Sequence, residues 1–155
     1  MRLLPILSLM EKRGLKISSV EFGRLGEMLR KELKIVETKA HSLAAEKFNL
    51  GSCVQLRTLL YDQLQLDKKH NINVGKTANG VKTTCETALQ KLVPYHQLPG
   101  LILRHRRLSK YLNTYVDGIM QFCRDERIET IWDQTAAATG RLTSAEPNLQ
   151  ESYYF

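Results

Sequence analysis

Apolar positions in the first third of the chain recur every three or four residues, the period of a helix buried on one face. A first helix is predicted over about Leu3 to Arg13, with Ile6, Leu7 and Met10 sharing a side and Gly14 as its stop. A short extended Leu15-Lys16-Ile17 leads into Ser18-Ser19-Val20-Glu21, a capping box in which Ser18 bonds the amide three residues on and Glu21 reaches back. From there Phe22, Leu25, Leu29, Leu33, Val36, Ala40 and Leu43 trace one stripe along a long helix. The box recurs at Ser52…Gln55 and Thr83…Glu86, opening two short helices that bury Leu56, Leu59 and Leu60, then Ala88, Leu89 and Leu92. Residues 65–82 between them are rich in Asn, Gly and Lys and have little to bury, which predicts an exposed, mobile loop.

Leu98-Pro99 starts a second long helix, proline being suited to a first turn. Its Leu101, His105, Leu108, Leu112, Tyr115, Ile119 and Phe122 alternate steps of four and three, a coiled-coil-like seam matching the earlier stripe in length and period. Gly118 weakens this helix without excluding it. After Arg127 the period changes: Ile128, Thr130 and Trp132 alternate with Glu129, Ile131 and Asp133, as in a strand. The expected fold class is mainly α, an antiparallel pair of long helices bridged by short ones and a basic tip loop, plus a short β segment.

Composition changes this picture little. Hydrophobic residues make up 43% and charged residues 25% of 155, the balance of a globular domain with a core, and no apolar run approaches the roughly 20 residues of a bilayer span. The apolar opening Leu3-Leu4-Pro5-Ile6-Leu7 is cut short by Glu11, Lys12 and Arg13, unlike a signal peptide. Cys53, Cys85 and Cys123 form no CxxC and no finger spacing with His41, His70, His96 or His105, so they are expected as free, buried thiols. Charge says more. The net +7 favours an anionic partner. Within the otherwise balanced residues 101–155, Arg104, Arg106, Arg107 and Lys110 form a block with no acid among them.

The stretch from Gln134 to Gln150, QTAAATGRLTSAEPNLQ, resembles a signature of the family A DNA polymerases, Q-T-x-T-x-T-G-R-L-S-S followed two residues later by P-N-L-Q-N. Ala137 replaces the middle threonine and Thr143 the first serine. Other stretches agree in order. Met10-Glu11-Lys12-Arg13-Gly14-Leu15 is similar to L-E-x-x-G-V, and residues 44–52 to A-G-x-x-F-N-x-x-S. Lys76-Thr77, Gly80 and Thr83-Thr84 resemble K-T-x-x-G and S-T, while residues 103–117 resemble L-E-Y-R-x-L-x-K-L-K-S-T-Y-V-D. Arg104 stands where the family has glutamate, and Leu112-Asn113 replaces lysine-serine. Within the family, Pro5-Ile6-Leu7 and Trp132-Asp133-Gln134 are most similar to the polymerase nu branch.

The resemblance implies a lead-in helix packing against the palm (1–17), a thumb (18–124), the start of the palm (125–150) and a tail outside the family pattern (151–155), as in a truncated isoform or an intron-read end. It implies primer–template duplex as partner, with Arg141, Asn148 and Gln150 at the primer terminus or nearby minor groove. There, acceptors occupy similar places in every base pair, so donors read geometry rather than sequence. Thr139-Gly140 is expected to form the turn that aims Arg141, glycine permitting close backbone approach. Lys76, Thr77, Lys82, Arg104, Arg106, Arg107, Lys110 and Thr114 are the candidates for the DNA backbone, where contacts position without specifying. For each basic residue taken alone a solvated helix face is an equal alternative, and Tyr115 is either packing or a phosphate donor.

Catalysis in this family needs magnesium held by aspartates in D-Y-S-Q-I-E and H-D-E, and a helix R-x-x-x-K-x-x-x-F on the triphosphate. None of these occurs in the sequence. The expectation is a DNA-binding fragment of a polymerase serving DNA repair or translesion synthesis in the nucleus, with no membrane contact, no cofactor or metal site of its own and no activity alone. The alternative is a truncated helical protein-interaction module with no DNA role.

Overall fold

The computed structural model describes residues 3–150; the expected non-family tail at 151–155 lies outside the described residues. The chain divides into two compact units, residues 30–110 and residues 1–29 with 111–155, so each long helix has one end in each.

In the unit of residues 30–110, helix α2 (Ser19–Ala44) contributes its second half, and Val36 and Ala40 are buried on the expected stripe. Leu43, at the end of that stripe, is 41% exposed, because the helix has ended by Ala45 at φ 55°. Helix α3 (Cys53–Arg57) opens with Ser52 Oγ accepting from the Gln55 amide at 3.4 Å. The Gln55 side chain accepts from the Asn49 amide at 2.6 Å, which turns the chain into the helix. A π-helical segment, Thr58–Gln63, continues α3 and buries Leu59, Leu60 and Tyr61. Helix α4 (Leu66–Lys69), α5 (Glu86–Leu92) and α6 (Gln97–Lys110) complete the unit. Leu56, Leu60, Leu89, Leu92, Leu98 and Ile102 are fully buried at its centre, each stabilising the fold by about 1.5–3 kcal/mol of removed apolar surface.

Three expectations are corrected here. Residues 75–81 are exposed as expected, but the stretch 65–82 has more to bury than its composition suggests: Leu66 and Val74 join the core, and Lys76 pairs with Lys82 in a bridge closed by Thr77 N–H to the Val81 carbonyl at 2.8 Å. Thr83 does not cap α5. Its hydroxyl accepts from the Cys85 amide at 3.2 Å and Cys85 occupies the N-cap, because the Thr83 carbonyl is held by Tyr61 and the Thr84 carbonyl by Arg106. The thiols are not buried either: Cys53 and Cys85 are exposed and Cys123 is half-buried, since the first two sit at helix starts rather than on apolar stripes.

In the other unit, helix α1 (Leu3–Arg13) buries only Leu7 and ends at Gly14, whose amide bonds the Met10 carbonyl at 2.9 Å. Ser18 caps α2 as expected, accepting from the Glu21 amide at 3.3 Å. The second long helix departs from a straight seam. After α6 it widens into a π-helical segment, Tyr111–Asp117, before a last turn α7 (Gly118–Met120). A Cβ at Gly118 would lie 2.8 Å from the Asn113 carbonyl oxygen, so the glycine admits the wide turn. Leu108, Leu112 and Tyr115 of the expected seam are buried, Val116 joins them where the turn widens, and Phe122 falls beyond the helix end.

The predicted single strand after Arg127 is two. Strand β3 (Arg127–Ile128) lies between β1 (Leu15–Lys16) and β2 (Cys123–Arg124), with Ile128 opposite both Leu15 and Cys123. Asp125 and Glu126, both at positive φ, form the two-residue turn between β2 and β3. Strand β4 (Ile131–Asp133) instead pairs with β5 (Thr143–Ala145), matching Trp132 with Ser144. The buried Thr130 separates the two sheets, its hydroxyl donating to the Ala145 and Pro147 carbonyls at 2.9 and 2.8 Å.

Candidate nucleic-acid interface

The β4–β5 hairpin carries the signature stretch. Its base is fixed from α1, where Glu11 Oε1 accepts from the Trp132 amide at 2.8 Å. This contact gives the glutamate of the L-E-x-x-G-V motif a physical role. At the end of β4, Asp133 Oδ1 accepts from the Thr135 amide, the Thr135 hydroxyl and the Ala136 amide at 2.7, 2.8 and 3.1 Å. Those donors, the Thr135 amide foremost, hold the Asp133 carboxyl below the usual carboxylate range. The chain then turns through Ala137–Gly140, closed by the Gly140 amide to the Ala137 carbonyl at 2.9 Å. Gly140 has φ +74° and open space within 4 Å of a would-be Cβ. Glycine is therefore required by backbone conformation, not by a close approach within the protein.

Arg141 emerges from this turn exposed, with no hydrogen bond or ion pair among the described residues. Asn148 and Gln150 lie beyond β5. Asn148 Oδ1 accepts from the Gln150 amide at 3.0 Å, and Gln150 Nε2 donates to the Leu142 carbonyl at 2.8 Å. The buried Ser144 hydroxyl accepts from the Leu149 amide at 2.9 Å. Arg141 thus lies on the hairpin, and the segment of Asn148 and Gln150 that follows it is tied back to it through Ser144 and Leu142. Arg141 and Asn148 are exposed with no bond from their side-chain nitrogens among the described residues, whereas the Gln150 amide nitrogen is already engaged.

The basic candidates of residues 30–110 separate into spent and free charges. Lys82 is ion-paired with the buried Asp67 and lies 5.3 Å from the Tyr61 ring centroid. Arg104, at the position where the family has glutamate, pairs with Glu32, its Nε at 3.0 Å from the carboxylate oxygen. Arg106 is turned inward, donating to the Thr84 carbonyl at 2.5 Å and the Thr84 hydroxyl at 3.3 Å. Thr77 spends its hydroxyl on the Val81 carbonyl at 3.2 Å. Lys76 and Arg107 are exposed and unpaired among the described residues, and Lys110 is exposed at the end of α6. Thr114, in the other unit, is exposed within the π-helical segment.

Sequence reasoning missed the residues that set this pattern. Tyr61 donates to the Thr83 carbonyl at 2.6 Å. Burial first, then the Asp67 carboxylate, pushes its phenol up to about 12. The exposed Cys85 thiol is drawn down to about 7, chiefly by the Thr87 hydroxyl 3.0 Å away. Neither has a signal in spacing, because their partners lie in other elements or depend on where α5 starts. Among the described residues no group of three or more His, Cys, Asp or Glu side chains could hold a metal ion. No helix among the described residues is long and apolar enough to cross a membrane.

Comparison with known proteins identifies the family. Residues 20–152 match the profile described as DNA polymerase family A. The chain is 37% identical over 148 residues to DNA polymerase I of Bacillus caldotenax, covering 94% of this chain and 16% of that protein. It is 41% identical over 147 residues to DNA polymerase I of Synechocystis sp., covering 94% and 14%. A similar solved structure is the POL domain of Pol1 from M. smegmatis in complex with DNA primer-template and dNTP. It has a TM-score of 0.81 and 34% identity, over 94% of this chain and 25% of that one. The chain thus spans about a sixth of the length of these curated relatives. With sequence and fold matching over nearly its whole length, the chain belongs to DNA polymerase family A.

Proposed function

We propose that this segment grips primer–template duplex for template-directed DNA synthesis. The observation that carries this reading is Arg141, an exposed residue with no partner among the described residues, next to the Gly140 turn of the hairpin. Arg141 donates to a minor-groove acceptor at the primer terminus, and Asn148 adds a second donor from the same hairpin. Gln150 keeps its oxygen for the nearby duplex, its amide nitrogen being held by Leu142. Lys76 and Arg107 supply phosphate contacts with charge no carboxylate has matched, joined by Lys110 and Thr114. The segment's share is grip rather than chemistry, since the carboxylate motifs of the family do not occur in its sequence. A setting in nuclear repair or translesion synthesis rests on the nu-like Pro5-Ile6-Leu7 and Trp132-Asp133-Gln134 alone.

The test is duplex binding against salt. With about four to six phosphate contacts, the log–log slope is expected near −4 to −5, without preference for one sequence. A flat slope or strong preference would overturn the reading. One observation favours the alternative of a protein-interaction module: Leu3, Leu4, Ile6, Leu9 and Met10 of α1 are all exposed. Self-association insensitive to salt, together with a flat duplex slope, would support it.

A further inference from the structure

Helix α4 runs into His70, and the chain after α5 runs into Tyr95. Their rings stack, with centroids 4.3 Å apart and planes at 27°. Both side chains are exposed, Tyr95 by 51%. A ring pair held at a surface with half of one residue open to solvent offers an unused aromatic face. The base under it is fixed. The Ile72 amide bonds the Asp67 carbonyl at 2.8 Å, and Lys91 Nζ donates to the Asn73 carbonyl at 3.0 Å, tying the His70 segment to α5.

The chain segments that carry the two rings are one-sided in charge. Lys68, Lys69 and Lys91 are exposed on the two helices that carry the rings. Between residues 68 and 116 the only carboxylate in the sequence is Glu86, which accepts from Gln90 at 3.1 Å. Asp67, the acid of α4, is buried against Lys82. Lys91 keeps further N–H donors after its bond to Asn73.

We infer that the His70–Tyr95 stack is a landing platform for unpaired single-stranded DNA. A base stacks on the open ring face and the adjoining phosphates meet Lys68, Lys69 and Lys91. Duplex bases are already stacked on their neighbours and present no free face, so the ligand is a single strand. Aromatic faces set among lysines are the means by which proteins hold such strands without reading sequence. The platform uses none of the residues proposed above for duplex contact.

Fluorescence anisotropy with three probes tests it: labelled oligo(dT), an abasic strand of equal length and charge, and a duplex. The unaltered chain is expected to bind oligo(dT) more tightly than the abasic strand. Tyr95→Ala and His70→Ala should weaken oligo(dT) binding roughly tenfold and leave the abasic and duplex affinities unchanged. Tyr95→Phe, which keeps the ring, should bind like the unaltered chain. Equal affinity of the unaltered chain for oligo(dT) and the abasic strand would overturn the inference. That comparison needs no variant and holds even where Tyr95→Ala fails to fold. A parallel fall on all three probes in Tyr95→Ala would overturn it too, since the ring would then be supporting the fold rather than a base.

Discussion

The ammonium of Lys82 is bonded to the carboxylate of Asp67, fifteen residues earlier, and the second oxygen of that carboxylate meets no donor. Asp67 is buried, whereas about a third of the Lys82 side chain reaches solvent. A charge left alone costs most where water cannot reach it. Lys82→Met is therefore expected to destabilise by about 2–4 kcal/mol and Asp67→Asn by about 1–2 kcal/mol. The double variant should lose less than the sum. Urea unfolding of all four forms measures this, and additive losses would show the pair to be uncoupled.

The same pair divides the basic residues functionally. Lys76→Ala and Arg107→Ala should each flatten the salt slope of duplex binding by about 0.9, one phosphate contact apiece. Lys82→Met should leave the slope alone while lowering stability. A flattening by Lys82→Met equal to that of Lys76→Ala would mean that Lys82 leaves Asp67 when DNA binds.

Arg141→Ala, placed in a polymerase carrying this segment, should lower incorporation efficiency about 10- to 100-fold, the equivalent of roughly 1–3 kcal/mol for a charge-assisted hydrogen bond. Lysine should rescue poorly because it lacks the planar fork. Gly140→Ala should reproduce part of the loss through backbone strain of about 1–2 kcal/mol at φ +74°. Combining Arg141→Ala with a primer base lacking its minor-groove acceptor decides the matter. Losses that simply add would show that the guanidinium does not touch that atom.

Tyr61 makes a prediction at high pH. Its phenol is raised from 10.0 to about 12, so the folded chain favours the protonated form that donates to Thr83. The stabilisation is full below pH 10 and is lost as pH rises toward 12. Tyr61→Phe should be less stable at neutral pH by about 1–2 kcal/mol, because the Thr83 carbonyl loses its partner. It should also lack this alkaline step in thermal unfolding followed from pH 9 to 12. An unchanged alkaline profile would argue against the bond.

The legible parts of the fold are those whose information is local. The Ser18 and Ser52 caps, the buried Val36, Ala40, Leu56 and Leu60, and the stop at Gly14 all follow from periodicity and from side chains that bond a few residues away. The β2–β3 turn at Asp125-Glu126 was not legible, because positive φ at two successive residues is signalled by glycine or asparagine and neither is present. The π-helical turns were equally hidden. Gly118 reads as a weak helix position, and only the Asn113 carbonyl 2.8 Å from its missing Cβ shows what the gap admits.

The candidate site divides along the same line. By itself the sequence determined family membership, the mainly helical class and the presence of Arg141, Asn148 and Gln150 in one stretch, since a long ordered motif needs no coordinates to be recognised. Tertiary structure alone decided which charges have partners. Lys82, Arg104 and Arg106 meet Asp67, Glu32 and Thr84, while Lys76, Arg107 and Arg141 have none among the described residues. Tertiary structure also brought His70 against Tyr95 across the loop that separates them. A side chain's charge is fixed by its chemistry, but its partner is fixed by folding, and pairs distant along the chain leave no periodic trace.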